Sequence, residues 1–459
     1  MFSTHTYHAR SYLSFAALSC ALCAVSSAQD LTHKARPQNG PVAIVNAHIH
    51  PVVGEDVSGY IIFEKGVITQ IGAGKLEAAA GTRVVDVQGK HVYPGMIAAL
   101  TQLGLDEIGA LRQTRDFNEV GDITPEAKAV VSINPDSTLF PVTRANGVLT
   151  AAVFPSGGTI AGQPCVVRLD GWTWEEMSVA PSLGVTVAWP NVRPVTAWWM
   201  NRSREDQERD IKRSLAAIDD FFRLSRQYAV ERGADANTPL DLRMEAMRPL
   251  FSAGVGGKDA RQARVFITAN DVDQIQQAVA WAKGAAIGDS TGMNLSCVIV
   301  GGRDAWMCAD LLKRHDVPVI VSGVHGFPRR DDSDYDEVYS FPARLEAAGV
   351  AWCMASGEET PHERSLPHHA GRAVAYGLDP KAALESVTIR AARILGVDST
   401  LGSLEKGKSA TLIVCDGTPL EVKTKVEHAF IDGREIDLSS KQTKLNEKYR
   451  ERFGVQEKN

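Results

Sequence analysis

The chain has 459 residues, 44% of them hydrophobic and 23% charged, which is enough apolar material for one large domain and a smaller companion. Its formal net charge of -6, with no run of Lys and Arg interleaved with aromatics, excludes nucleic acid and an anionic membrane as expected partners of the mature chain. A small-molecule ligand or substrate is the expected partner, and a partner protein stays open.

In chain order, the first segment places Arg10 before an apolar stretch from Tyr12 to Val25, then Ser26-Ser27-Ala28 ahead of Gln29. That pattern predicts a cleavable signal peptide over residues 1–28, too short to span a bilayer, and with it a periplasmic or secreted protein. The mature chain then keeps Cys165, Cys297, Cys308, Cys353 and Cys415, an odd and scattered set with no Cys-x-x-Cys pair. Neither a disulfide framework nor a structural zinc site is expected, and the cysteines in apolar runs read as small buried hydrophobes.

Residues 38–92 carry short β runs separated by glycines (42–45, 60–63, 67–71, 83–87), the pattern of a small antiparallel sheet. His48-Ile49-His50 falls within it and is expected to be surface or packing histidines. From residue 93 to 400, apolar β runs alternate with helical segments, as a (β/α) barrel requires. The predicted barrel strands are 95–100, 147–153, 265–269, 297–300, 317–321 and 350–355. Between them, 202–231 holds Ile211, Leu215, Ile218, Phe221, Phe222 and Tyr228 at helical spacing, a long amphipathic helix. The Gly-rich 155–163 lacks the Lys-Ser/Thr of a phosphate loop and reads as a tight turn. Trp172 and Trp174 are either a stacking wall or a packed staple. Residues 401–438 return to short β runs, and 439–459 form a charged tail, an exposed helix or a frayed end.

Two stretches resemble a known family. His91-Val92-Tyr93-Pro94-Gly95-Met96-Ile97-Ala98-Ala99-Leu100-Thr101-Gln102 is similar to the first barrel strand of the amidohydrolase superfamily. Roughly 300 residues later, Gly377-Leu378-Asp379-Pro380 through Ala391-Ala392-Arg393-Ile394-Leu395-Gly396, then Leu401-Gly402-Ser403-Leu404-Glu405-Lys406-Gly407-Lys408, resemble that family's last helices and its return to the small β domain. The imidazolonepropionase-like branch is the nearest in pattern. The resemblance implies an α/β fold, a TIM-type (β/α)8 barrel with a discontinuous small β-sandwich. It also implies homodimers, and hydrolysis of C–N bonds in small non-peptide or cyclic amide substrates.

The same resemblance implies a divalent cofactor, zinc or iron, held by a His-x-His on strand one, a His ending strand five and an Asp ending strand eight, with a further His ending strand six. Here those positions read Leu100 and Gln102, Thr268, Gly357 or with a one-residue shift Glu358, and Gly301. The metal ligands are therefore expected to be replaced, and no residue is assigned to a metal. Two outcomes stay open: a hydrolase with an altered or lost metal site, and an exported non-catalytic pseudoenzyme that binds a ligand or partner at the barrel mouth.

Candidate site residues come from the loops after the strands, where barrel active sites lie. They are Gln102, Glu107, Arg112, Arg115 and Asp116 after strand one, Thr268 at strand five, His325 and Arg329 after strand seven, and Glu358 and Glu359 after strand eight. His325 with Arg329 and Arg330 would suit an anionic ligand, and Glu358 and Glu359 with His362 an acid–base pair. The bland alternative is solvated loops carrying weak salt bridges. His368 and His369 are adjacent, so both are not expected to face one ion.

Overall fold

The computed structural model describes residues 33–251, 263–284, 293–328 and 330–454. The expected signal peptide and the candidate Arg329 lie outside the described residues.

The first five strands are β1 (Val42–Ile49), β2 (Val57–Glu64), β3 (Val67–Ala73), β4 (Arg83–Asp86) and β5 (His91–Pro94). A bulge between Ile44 and Ala47 interrupts β1, and Asn46 there has φ 54°, a left-handed conformation that Asn tolerates. The break lets β1 pair in parallel with β4 through Val42–Val45 and with β5 through His48 and Ile49.

Ten strands follow: β6 (Met96–Thr101), β7 (Val148–Val153), β8 (Ile160–Gly162), β9 (Cys165–Arg168), β10 (Ser178–Ala180), β11 (Gly184–Ala188), β12 (Arg264–Ala269), β13 (Cys297–Gly301), β14 (Val319–Ser322) and β15 (Trp352–Ala355). β11 to β15 pair in parallel in sequence order, with β8 antiparallel on the outer side of β11. A second sheet runs β10-β9-β7-β6, in which β6 and β7 are parallel.

Alternation along these strands explains their continuous hydrophobicity. Ile97, Ala152, Val166, Phe266, Val298, Ile320 and Cys353, drawn from both sheets, share one core. Their neighbours Met96, Ala151, Val167, Ile267, Ile299, Val319 and Trp352 face a different core, shared with the helices. Strands buried on both faces need apolar residues at every position, which is what parallel α/β sheets require. The result is a mixed α/β fold.

The last strands, β16 (Leu412–Cys415), β17 (Val426–Ile431) and β18 (Arg434–Glu435), return to the first sheet. β16 lies antiparallel to β5, giving the order β18-β17-β16-β5-β1-β2-β3 with β4 also on β1. Asp170, fully buried, fastens this return: its two oxygens meet Arg144 at 2.9 Å and Arg434 at 3.0 Å.

The six predicted barrel strands coincide with β6, β7 and β12 to β15, while β8 to β11 went unpredicted. Their strands are short and broken by Gly162, Pro164 and Gly171, so no run is long enough to show a period. The Gly-rich 155–163, expected as a turn, ends in the strand β8. Trp172 is exposed, and Thr173 beside it caps the short helix Trp174–Met177.

The predicted long helix is Arg204–Ala234, capped by Ser203 through the Asp206 amide, with Ile218, Phe221, Phe222 and Tyr228 buried. The tail contains the helix Lys441–Phe453, which buries none of its residues. The five described cysteines are free and buried. No described helix is long and apolar enough to cross a membrane.

Candidate active site

The tips of β14 and β15 meet through two glycines. Gly323 (φ 69°) and Gly357 (φ 66°) take conformations that disfavour any side chain. A Cβ on Gly323 would stand 2.0 Å from the Ser356 carbonyl oxygen, and one on Gly357 would stand 2.6 Å from the Ser322 carbonyl oxygen. Backbone packed this closely brings His325, two residues past Gly323, into contact with Glu358, the residue after Gly357.

Glu358 Oε1 lies 2.9 Å from His325 Nδ1 and 2.9 Å from Nε2 of His369, which comes from the first turn of the helix Leu366–Ala375. The hydrogen bonds fix the proton on His369. Its Nδ1 accepts the Val324 backbone N–H at 3.1 Å, so in the neutral ring Nε2 carries the hydrogen and donates it to Glu358. Burial, and then the charge of His325, push the His369 pKa down to about 4, which keeps that ring neutral at neutral pH. Burial alone would raise Glu358, but the hydrogen bond from His325 and the influence of His369 hold it below the usual carboxylate range. An ionised Glu358 in turn orients the Nδ1 hydrogen of His325 toward itself. In the neutral form of that half-exposed ring, the far nitrogen, Nε2, is the one with a free lone pair.

These groups stand between two cavities. The first, of about 1030 Å³, is lined by Gln102, Arg115, Thr268, Glu358 and Glu359 among others. The second, of about 990 Å³, is lined by His325, Trp199, Phe327 and Arg330 among others. Ser322 and Arg303 border both.

Beneath the first cavity lies a carboxyl that sequence reasoning missed. Glu363 is fully buried, and burial raises its pKa to about 7 against the pull of hydrogen bonds from Thr101 and Ser356. Ser356 Oγ donates to Glu363 at 3.0 Å and accepts the Glu358 amide at 3.3 Å, linking the two acids.

The structure brings together only some of the predicted residues. Gln102, Arg115, Thr268, Glu358 and Glu359 line one cavity and His325 the other. Glu107 does not converge with Glu358; it accepts from the Asn134 amide at 3.4 Å and borders neither cavity. Arg112 sits in an exposed 3-10 turn, Arg112–Thr114. Asp116 is exposed on a separate small cavity beside Phe117. Arg330 is neutralised by Asp304 and Glu337, so it is not free for an anion. His369, set aside from sequence, is at the centre, and the Pro367 that starts its helix was the available signal.

His325, Glu358 and His369 are the group among the described residues whose ligand atoms lie within 4.8 Å of one another. As a metal site they fit poorly, because the His369 nitrogen facing the others carries a hydrogen while its other nitrogen is held by a backbone N–H. At the strand tips, Leu100, Gly301 and Gly357 offer no donor, and the Gln102 amide is donated to Ser156 Oγ at 2.9 Å. In the small sheet, His50 bonds His91 at 2.8 Å and Asp56 at 2.7 Å, packing against Tyr93 away from both cavities.

The Amidohydrolase family model matches residues 349–436, which hold Glu358, Glu363 and His369. The amidohydrolase tasK of Hapsidospora irregularis is 21% identical over 425 residues, 82% of this chain, but this chain spans only 39% of that protein's length. An amidohydrolase from Thermotoga maritima MSB8 superposes with a TM-score of 0.72 at 22% identity, covering 86% of this chain and 99% of its own. A prolidase complexed with N-methylphosphonate-L-proline superposes at 0.51 and 17% identity, covering 86% and 99%. Residues 349–436 are thus similar to the Amidohydrolase family, and the chain shares its fold with an amidohydrolase of solved structure.

Proposed function

We propose that this protein is a hydrolase of a C–N bond in a small molecule, working at the mouth of a closed (β/α)8-type barrel formed by β6, β7 and β11 to β15 with their neighbours. The observation that carries the reading is the His325–Glu358–His369 chain, which directs one basic nitrogen away from Glu358 at the edge of the second cavity. The family domain and the prolidase neighbour support the reaction class.

The family's divalent metal does not fit the donors present, so no step is derived through it. His325 Nε2 instead takes a proton from water as the water oxygen attacks the amide carbon. Glu358 remains ionised and balances the imidazolium that forms. His325 then returns the proton to the leaving nitrogen, and the C–N bond breaks to give an acid and an amine. Such a positioned base contributes about 10²–10⁴ in rate.

A panel of cyclic amides and N-acyl amino acids, followed by amine release, tests the proposal. Glu358→Gln and His325→Asn are each expected to lower turnover by about 10²-fold or more, while chelator treatment leaves the rate unchanged. No turnover by the wild type would favour the second reading, a ligand-binding pseudoenzyme, which the donor-poor Leu100, Gln102, Gly301 and Gly357 support. Activity that disappears with chelator and returns with zinc would sink the metal-free mechanism.

A further inference from the structure

Four guanidinium groups among the described residues line the two cavities, and three are matched to carboxylates. Arg115 faces Asp106 at 3.6 Å, Arg193 pairs with Asp273, and Arg330 pairs with Asp304. Arg303, which borders both cavities, is matched to nothing. Its Nε is buried without a hydrogen-bond partner, and among the described residues no ion pair or hydrogen bond engages the rest of its head.

The backbone holds it there. Gly301 (φ 93°) and Gly302 (φ 56°) turn the chain out of β13, where a Cβ would stand 2.5 Å from Asn270 Oδ1 or 2.6 Å from a Val319 methyl. On either side, the Gly302 amide donates to the Ala269 carbonyl at 2.8 Å and the Asp304 amide to the Asn270 carbonyl at 2.9 Å. Residue 303 is therefore clamped between two bonded neighbours.

An unmatched, partly desolvated guanidinium is costly unless an anion completes it. Its planar fork matches a carboxylate, two oxygens to two N–H groups. The first cavity also presents Glu358 and Glu359, whose charges oppose a dianion held by a single cation. We infer that Arg303 anchors the carboxylate of a small monoanionic ligand whose remaining body lies toward His325 and Glu358. The site deepens the hydrolase reading by naming the substrate class, small carboxylic acids bearing an amide, and binding can be tested without turnover.

Calorimetric titration of the full chain with benzoate, its neutral match benzamide and inorganic phosphate is the test. Wild type is expected to bind benzoate about tenfold or more tighter than benzamide, in line with a charge-assisted pair. Arg303→Met should reduce that preference to within about twofold, and Arg303→Lys should retain part of it. Equal binding of benzoate and benzamide, or a preference unchanged in Arg303→Met, overturns the anchor; tighter binding of phosphate overturns the carboxylate assignment. Circular dichroism checks the fold of Arg303→Met, with Arg303→Gln as the second neutral variant. Glu358→Gln separates the two proposals: an anion preference that persists in a chain without turnover leaves the anchor standing when the hydrolase reading fails.

Discussion

At the residue scale, the site is governed by where protons rest. Glu363 has the larger consequence for stability, because burial lifts its pKa to about 7 while an unfolded carboxyl titrates near about 4.3. Between those values the native chain keeps a proton that the unfolded chain has released. Stability is therefore lost as pH rises through that window, by about 4 kcal/mol in all, and the loss is complete above it. Glu363→Gln cannot ionise, so its advantage over wild type in urea unfolding should grow between pH 5 and pH 8 by about 2 kcal/mol. A gap that stays constant with pH would show that Glu363 does not ionise in this window. His325 and Glu358 were legible as candidates because polar residues after apolar strands point to a barrel mouth. Glu363 and His369 were not, since only the meeting of two loops with a helix gives them their roles.

At the scale of elements, the strand tips decide the geometry. Gly323 combines a left-handed φ with a Cβ position 2.0 Å from the Ser356 oxygen. Gly323→Ala should cost on the order of 3 kcal/mol, from backbone strain plus overpacking. It should also separate His325 from Glu358, lowering activity even where the variant stays folded. Unfolding within about 0.5 kcal/mol of wild type would show that the tips move apart freely. The doubly buried strands β6, β7 and β12 to β15 could be read from their apolar runs, whereas β8 to β11 could not. Short strands broken by glycine and proline owe their existence to the neighbours they pair with, and a single sequence does not display neighbours.

At the scale of the whole molecule, one buried acid joins segments far apart in the chain. Asp170 holds Arg144, just ahead of β7, and Arg434 in the last strand. Asp170→Asn takes the ion-pair partner from buried Arg144, which keeps the Leu169 carbonyl and the charge of Asp437, at an expected cost of about 3 kcal/mol. The midpoint of guanidinium unfolding measures it, and a loss below about 1 kcal/mol would mean that the arginines find other partners or water. The strands of the first sheet were legible from short β runs early and late in the sequence; this internal tie was not, because isolated charged residues in a sequence do not announce their partners.

The strand β5 has one more consequence, in the order in which the protein is made. It pairs with β1 on one side and with β16 on the other, and β16 leaves the ribosome more than 300 residues after it. At about 5–20 residues per second, β5 waits tens of seconds with one row of N–H and C=O groups bare. The nascent chain thus carries a sticky edge through most of its synthesis, and the small sheet, whose first strands are translated earliest, is among the last parts to be finished.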